Sequence, residues 1–174
     1  MTFEIEKSIE ILSRTPLVLE SLLNGLSAEW VNNNEGENTW SPYEVLGHLI
    51  HGEKTDWLQR TKIILSNSEH KTFEPFDRFA QLKEDNTRPI EELLEEFSAI
   101  RLENLKELKS LQINDSKLQQ KGVHPALGEV NLKELLSTWV VHDLGHISQI
   151  TRVMAKQYQS EVGPWIEYLG ILKK

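Results

Sequence analysis

Two short signals constrain this chain more than anything else in it. Ser41-Pro42-Tyr43-Glu44 and Asn131-Leu132-Lys133-Glu134 each place a helix-capping side chain three residues before a glutamate, the reciprocal pattern of a capping box. Pro42 suits a first helical position. Trp40 with Val45, and Val130 with Leu135, flank the two boxes as hydrophobic staples. Behind each box apolar residues recur at helical spacing. One series runs through Leu46, Leu49, Ile50, Trp57, Leu58 and Ile64 to about Ser66, the other through Leu135, Leu136, Trp139, Val140, Ile147 and Ile150 to about Gln157. That period demands amphipathic helices.

The rest of the chain follows suit. Residues 4–13 carry Ile5, Ile9, Ile11 and Leu12, and Thr15-Pro16 restarts a helix that ends near Gly25, so these pieces predict one broken first helix. A third long helix is predicted from near Pro89 to about Ser110, with Leu93, Leu94, Phe97, Ile100, Leu105 and Leu108 as its apolar stripe. Its first half carries Glu91, Glu92, Glu95 and Glu96 and its second half Arg101, Lys106 and Lys109, an order that suits the helix dipole and predicts a solvated face. Residues 31–39, 67–87 and 121–130 read as polar loops, and Gly163-Pro164 breaks the chain before a short end segment. The expectation is an all-α four-helix bundle with long connecting loops, a single domain over residues 1–174.

Composition narrows the chemistry. The 174 residues include no cysteine, which removes disulfides, thiolate metal sites and a protein thiol nucleophile. Any metal must sit on histidine, carboxylate or backbone oxygen. The net charge is -8 and no Lys/Arg cluster appears, which argues against nucleic acid and anionic membrane surfaces as partners. No apolar run approaches a membrane span, and the N-terminus lacks the features of a secretory leader. A cytoplasmic protein is expected.

Six histidines remain as the main chemical resource. His142 and His146 stand four apart on a predicted helix, stacked on one face one turn apart. Two imidazoles so placed can reach one metal ion, or they are core histidines bonded to backbone or carboxylate. His48 occupies an apolar side of the second long helix, flanked by Gly47 and Gly52. Glycine inside a helix costs about 1 kcal/mol, and close packing or room for a ligand would account for it, as for Gly145. If the two helices are neighbours, His48 completes three nitrogens around one ion, with positions left open for water or substrate. His51 is a weaker candidate, and His70 and His124 read as loop histidines, His124-Pro125 shaping a turn. Trp57 reads as core, Asp56 and Arg60 as surface groups or neighbours of the site. Asp143 and Gln149 are candidates for orienting a ligand imidazole.

The run Thr-Trp40-Ser-Pro-Tyr-Glu44-Val-Leu-Gly-His48-Leu resembles the second-helix signature of the DinB-like superfamily, and Trp139-Val-Val-His142-Asp-Leu-Gly-His146-Ile-Ser-Gln149-Ile its last bundle helix. The tail Gly163-Pro164-Trp165-Ile-Glu-Tyr168-Leu is similar to that group as well. The resemblance implies a four-helix bundle, usually a homodimer, with one divalent metal on His48, His142 and His146. Zinc or nickel is expected ahead of iron or manganese. The best understood relatives are thiol S-transferases and isomerases that use bacillithiol, mycothiol or glutathione; many members are described only as metal-dependent hydrolases.

Three functions follow as expectations. The first is a transferase in which the ion turns a small thiol into thiolate, the competent nucleophile. The second is a hydrolase using metal-bound water. The third is a stress-response bundle that binds metal without turnover, or whose histidines are core. A variant of the zinc-peptidase helix, with Asp143 in the glutamate's place and Glu161 or Glu167 as a further ligand, is a remote fourth.

Overall fold

The computed structural model describes residues 2–83 and 87–173. Eight α-helices, three short 3-10 helices and one hairpin make up the ordered elements among them. The predicted broken first helix is α1 (Ile5–Leu12) and α2 (Thr15–Leu23), split just before Pro16. A short α3 (Ala28–Asn32), not anticipated, buries Val31 and sets Trp30 edge-on to Tyr158 at 5.1 Å.

The first capping box forms as predicted. At the start of α4 (Pro42–Thr55), the Glu44 amide donates to Ser41 Oγ at 3.2 Å, and the Ser41 amide to Glu44 Oε2 at 2.8 Å. The predicted helix to Ser66 is interrupted. Asp56 leaves helical geometry at φ -115, ψ -85, and α5 (Trp57–Leu65) continues at a new angle. The break turns Trp57 back onto α4, where a Cβ on Gly52 would stand 3.3 Å from its Nε1. Gly47 is likewise a close approach, with Gln81 Cβ 3.0 Å from such a carbon. Gly145 is not: a Cβ there would meet nothing within 4 Å, so close packing does not account for it.

The irregular stretch predicted over 67–87 contains a 3-10 turn at Ala80–Lys83; its residues 84–86 lie outside the described residues. Next come α6 (Ile90–Ser110) and the short α7 (Asp115–Leu118). The segment predicted as loop over 121–130 is a hairpin instead. β1 (Lys121–His124) pairs antiparallel with β2 (Gly128–Asn131), and Thr72 bridges Val123 on the other side. Phe73 packs so closely over Gly122 that a Cβ there would fall 2.6 Å from its ring. The second capping box then opens α8 (Leu132–Lys156), with both reciprocal bonds present. Two 3-10 turns, Gly163–Tyr168 and Gly170–Lys173, follow.

The long helices form a four-helix bundle, α1/α2 and α4/α5 each being one broken strut beside α6 and α8. Its interior has two apolar clusters. One gathers Leu19, Leu46, Phe97 and Ile150, the other Leu12, Leu58, Leu105 and Trp139. Between them in sequence, on every strut, stands a buried polar residue: Thr15, Glu53, Arg101 and Asp143. Arg101 was expected on a solvated face; it is 1% exposed.

Candidate metal centre

Helices α4 and α8 pack against each other, and the three histidines meet where they cross. His48 is 5% exposed, and His142 and His146 are half-buried. His48 Nε2 lies 3.2 Å from His142 Nε2, which lies 3.1 Å from His146 Nε2. One nitrogen from each ring falls within 4.8 Å of the other two. Nitrogens bound to a common ion at about 2.0–2.1 Å with near-tetrahedral angles stand about 3.3 Å apart, so the two ring-to-ring distances fit such a donor set.

The protonation states fit as well. Burial first, then the neighbouring charges of His146, His51 and Arg78, push the His48 pKa down to about 4, against an opposing backbone contact from Arg78. Burial, His146, His48 and Arg101 push His142 down to about 3. Burial lowers His146 too, although its bond to Gln149 and the charge of Asp143 work the other way. All three rings are therefore neutral near pH 7 and offer lone pairs. His146 Nδ1 donates to Gln149 Oε1 at 2.8 Å, which leaves its Nε2 as the acceptor. His48 Nδ1 and His142 Nδ1 are buried without a hydrogen-bond partner among the described residues.

Aromatic rings enclose the three imidazoles. Trp40 lies 4.9 Å from the His48 ring and stacks at 6.5 Å over His146. Phe76 stands edge-on to His48 at 5.5 Å, and Trp57 edge-on to His142 at 5.0 Å. The Arg78 guanidinium sits over Trp40 and Phe79. Phe76, Arg78 and Phe79 come from a stretch with no helical or strand period, so sequence reasoning missed them.

The remaining candidates separate clearly. His51 contacts Phe76 and Thr55 and stays outside the triad. His70 is exposed, and His124 Nδ1 accepts from the Ala126 and Leu127 amides, shaping the hairpin turn. Trp57 is core as expected, and touches His142 as well. Asp56 and Arg60 are not surface groups: both are buried, with Arg60 Nε 2.8 Å from Asp56 Oδ1. Burial raises the Asp56 pKa to about 6 despite the opposing charge of Arg60. Asp143 does not orient an imidazole. It turns to Arg101 and Thr15, each at 2.7 Å. With Asp143 so engaged, and Glu161 and Glu167 exposed, the peptidase-like reading fails.

Arg101 is the residue whose role sequence reasoning inverted. Its Nη2 donates to Glu53 Oε1 at 2.8 Å and its Nη1 to Asp143 Oδ2 at 2.7 Å. Burial opposes its charge, and Asp143 and Glu53 outweigh that, so its pKa is raised. The signal was present: 94, 97, 101, 105 and 108 form one helical stripe, apolar at every position except Arg101.

Residues 11–150 match a family model of the DinB superfamily. The fold is similar to that of YfiT from Bacillus subtilis, described as a probable metal-dependent hydrolase with an unusual four-helix bundle topology. The TM-score is 0.74 at 16% identity, over 88% of this chain and 87% of that one; a likeness at that identity speaks for the fold. Among curated proteins none matches.

Proposed function

The chain belongs to the DinB superfamily, and from that premise we propose that it is a divalent-metal-dependent enzyme acting on a small molecule. His48, His142 and His146 would hold the ion, zinc or nickel ahead of iron or manganese. The observation that carries this reading is the convergence of three neutral imidazole nitrogens, two pairs of them at 3.1 and 3.2 Å. Held there by His48, His142 and His146, a divalent ion would supply Lewis-acid chemistry that lowers the pKa of a small thiol or of water.

Within that class we favour transfer of a low-molecular-weight thiol. The buried carboxyls on the two histidine helices, Glu53 and Asp143, are both turned to Arg101, so neither is free to take a proton from an attacking water. Thiol transfer needs only a competent thiolate. The chain contains no cysteine, so the sulfur comes from the substrate. Its thiol proton passes to solvent, a carbon–sulfur bond forms at the electrophile, and the leaving group departs with its electron pair. Trp40 and Phe76 pack against the His48 ring and Trp57 against that of His142, and such apolar neighbours strengthen charge interactions at the site. Hydrolysis is the second reading, favoured by the description of YfiT.

A homodimer is part of the proposal. Leu17 and Val18 on α2 and Val141 and Leu144 on α8 are exposed apolar residues, Val141 at 68%. An apolar groove of about 510 Å³ runs between the two helices, lined by Leu17, Val18, Leu22 and Ile147. A second copy of the same face would cover it.

The test is metal analysis and turnover of wild type and of His48→Ala, His142→Ala and His146→Ala. The expected result is about one equivalent in wild type and little in each variant, with thiol-dependent loss of an activated chloroarene in wild type alone. Equal metal in all four proteins overturns the site. Ester hydrolysis without any thiol dependence selects the second reading.

A further inference from the structure

The three histidines come from two helices, and something must fix one helix against the other. At the level of the site that connection is a buried charge cluster. Glu53 lies five residues after His48 on α4, and Asp143 directly follows His142 on α8. Arg101, on α6, donates to both carboxyls, with a second contact to Asp143 Oδ1 at 3.2 Å. All three side chains are about 1% exposed.

Further bonds hold the carboxyls in place. Glu53 Oε1 also accepts from Trp139 Nε1 at 3.1 Å, and its Oε2 from Asn104 at 3.0 Å. Asp143 Oδ2 also accepts from Thr15. The guanidinium lies over the Trp139 ring, Trp139 stacks on Trp57 at 5.9 Å, and Trp57 meets His142. A continuous set of contacts thus runs from Arg101 through Trp139 and Trp57 to His142, while Glu53 ties Arg101 to the helix that carries His48.

Stability alone is a poor account of this cluster. Burying charges costs desolvation that an apolar replacement of similar volume avoids. Planar, forked donors excel instead at holding two acceptors in a fixed geometry. We infer that Arg101, with Glu53 and Asp143, is a positioning device that sets the separation of His48 from His142 and His146. It touches neither substrate nor ion. The inference rests on the metal reading of the triad.

Cobalt(II) binding tests it, because the intensity and position of the visible band report coordination geometry independently of turnover. Glu53→Gln keeps the volume but sets an NH₂ against a donor, Asn104 or Arg101. Arg101→Lys keeps the charge and loses the fork. Leu108→Ala, a cavity variant on the same helix within the apolar cluster of Leu12, Leu58, Leu105 and Trp139, controls for lost stability. All are measured at a temperature where circular dichroism shows them folded. The expected result is a weakened, shifted band and a Kd raised about 10-fold or more in Glu53→Gln and Arg101→Lys, with Leu108→Ala matching wild type. If Arg101→Lys does not fold, Glu53→Gln carries the test. Wild-type band and affinity in the folded clamp variants overturn the positioning role and leave the metal site standing. No cobalt on the wild type overturns the triad reading, and the inference with it.

Discussion

Acidification should weaken the metal-free protein by an amount the site geometry sets. The unfolded chain protonates its histidines around the ordinary value of about 6.5. In the fold His48 is held down to about 4 and His142 to about 3, chiefly because burial disfavours the charged rings. Between those values the unfolded chain binds protons that the folded chain refuses, so stability is full above about pH 6.5 and falls as the pH drops. From pH 7 to pH 5 each of these two histidines removes about 2 kcal/mol. Asp56 acts with the opposite sign. Its carboxyl is raised to about 6, so the fold binds that proton first and regains about 1 kcal/mol over the same interval. The net loss is about 2–3 kcal/mol, a large fraction of the stability of an ordinary domain. Urea unfolding of chelator-treated protein at the two pH values measures it. Asp56→Asn should enlarge the loss by about 1 kcal/mol, and His142→Gln should reduce it by about 2 kcal/mol. A metal-free protein equally stable at both pH values would refute the reasoning, since it would mean that the rings are solvated or already protonated.

Two further outcomes follow from individual side chains. Gln149→Leu removes the acceptor for His146 Nδ1 and should weaken metal affinity about 10–100-fold with little change in melting temperature, as read by competition with a chromophoric chelator. Leu144→Asp puts a charge on the exposed apolar face of α8 and should shift light-scattering mass from dimer to monomer while metal content stays unchanged.

Much of the fold was legible because capping chemistry is local. Ser41 and Asn131 make the bonds their sequence patterns predict, and the apolar stripes place the helices around them. The triad was legible for the same reason at one remove. The i, i+4 spacing of His142 and His146 is local, and only the meeting with His48 required tertiary structure. What escaped has physical causes. The helix break at Asp56 depends on Trp57 folding back over Gly52, a packing event with no local signature. The hairpin at 121–131 draws on Thr72 and Phe73, some fifty residues away, where Gly122 reads only as a turn residue. Arg101 was misread because charge order along a helix describes its solvated face and says nothing of a charge set into the apolar stripe.

The two helix breaks and the buried charges belong to one construction. Pro16 has no N–H, so the Leu12 carbonyl four residues earlier loses its helical partner. Arg101 Nη1 donates to that carbonyl at 2.8 Å. The break at Asp56 similarly separates the Glu53 carbonyl from the next turn, and Asn104 Nδ2 donates to it at 2.9 Å. Two interrupted struts therefore expose backbone acceptors at the level between the apolar clusters, and α6 answers both with side chains three residues apart. A buried carbonyl left without a donor costs about 1–3 kcal/mol, so the breaks and the α6 side chains stabilise only together. In a bundle of uninterrupted helices these two carbonyls would be bonded within their own helices and would not call on Arg101 or Asn104. Once those donors are present, Glu53 and Asp143 supply the acceptors that their remaining N–H groups require, and both stand on the helices that carry the histidines. Replacing Arg101 by methionine should then destabilise the fold far more than replacing Arg101, Glu53 and Asp143 together by apolar residues of similar volume. The single change leaves two buried carboxylates without their countercharge and the Leu12 carbonyl without its donor, whereas the triple change leaves no buried charge, only neutral groups such as the Leu12 carbonyl and Trp139 Nε1.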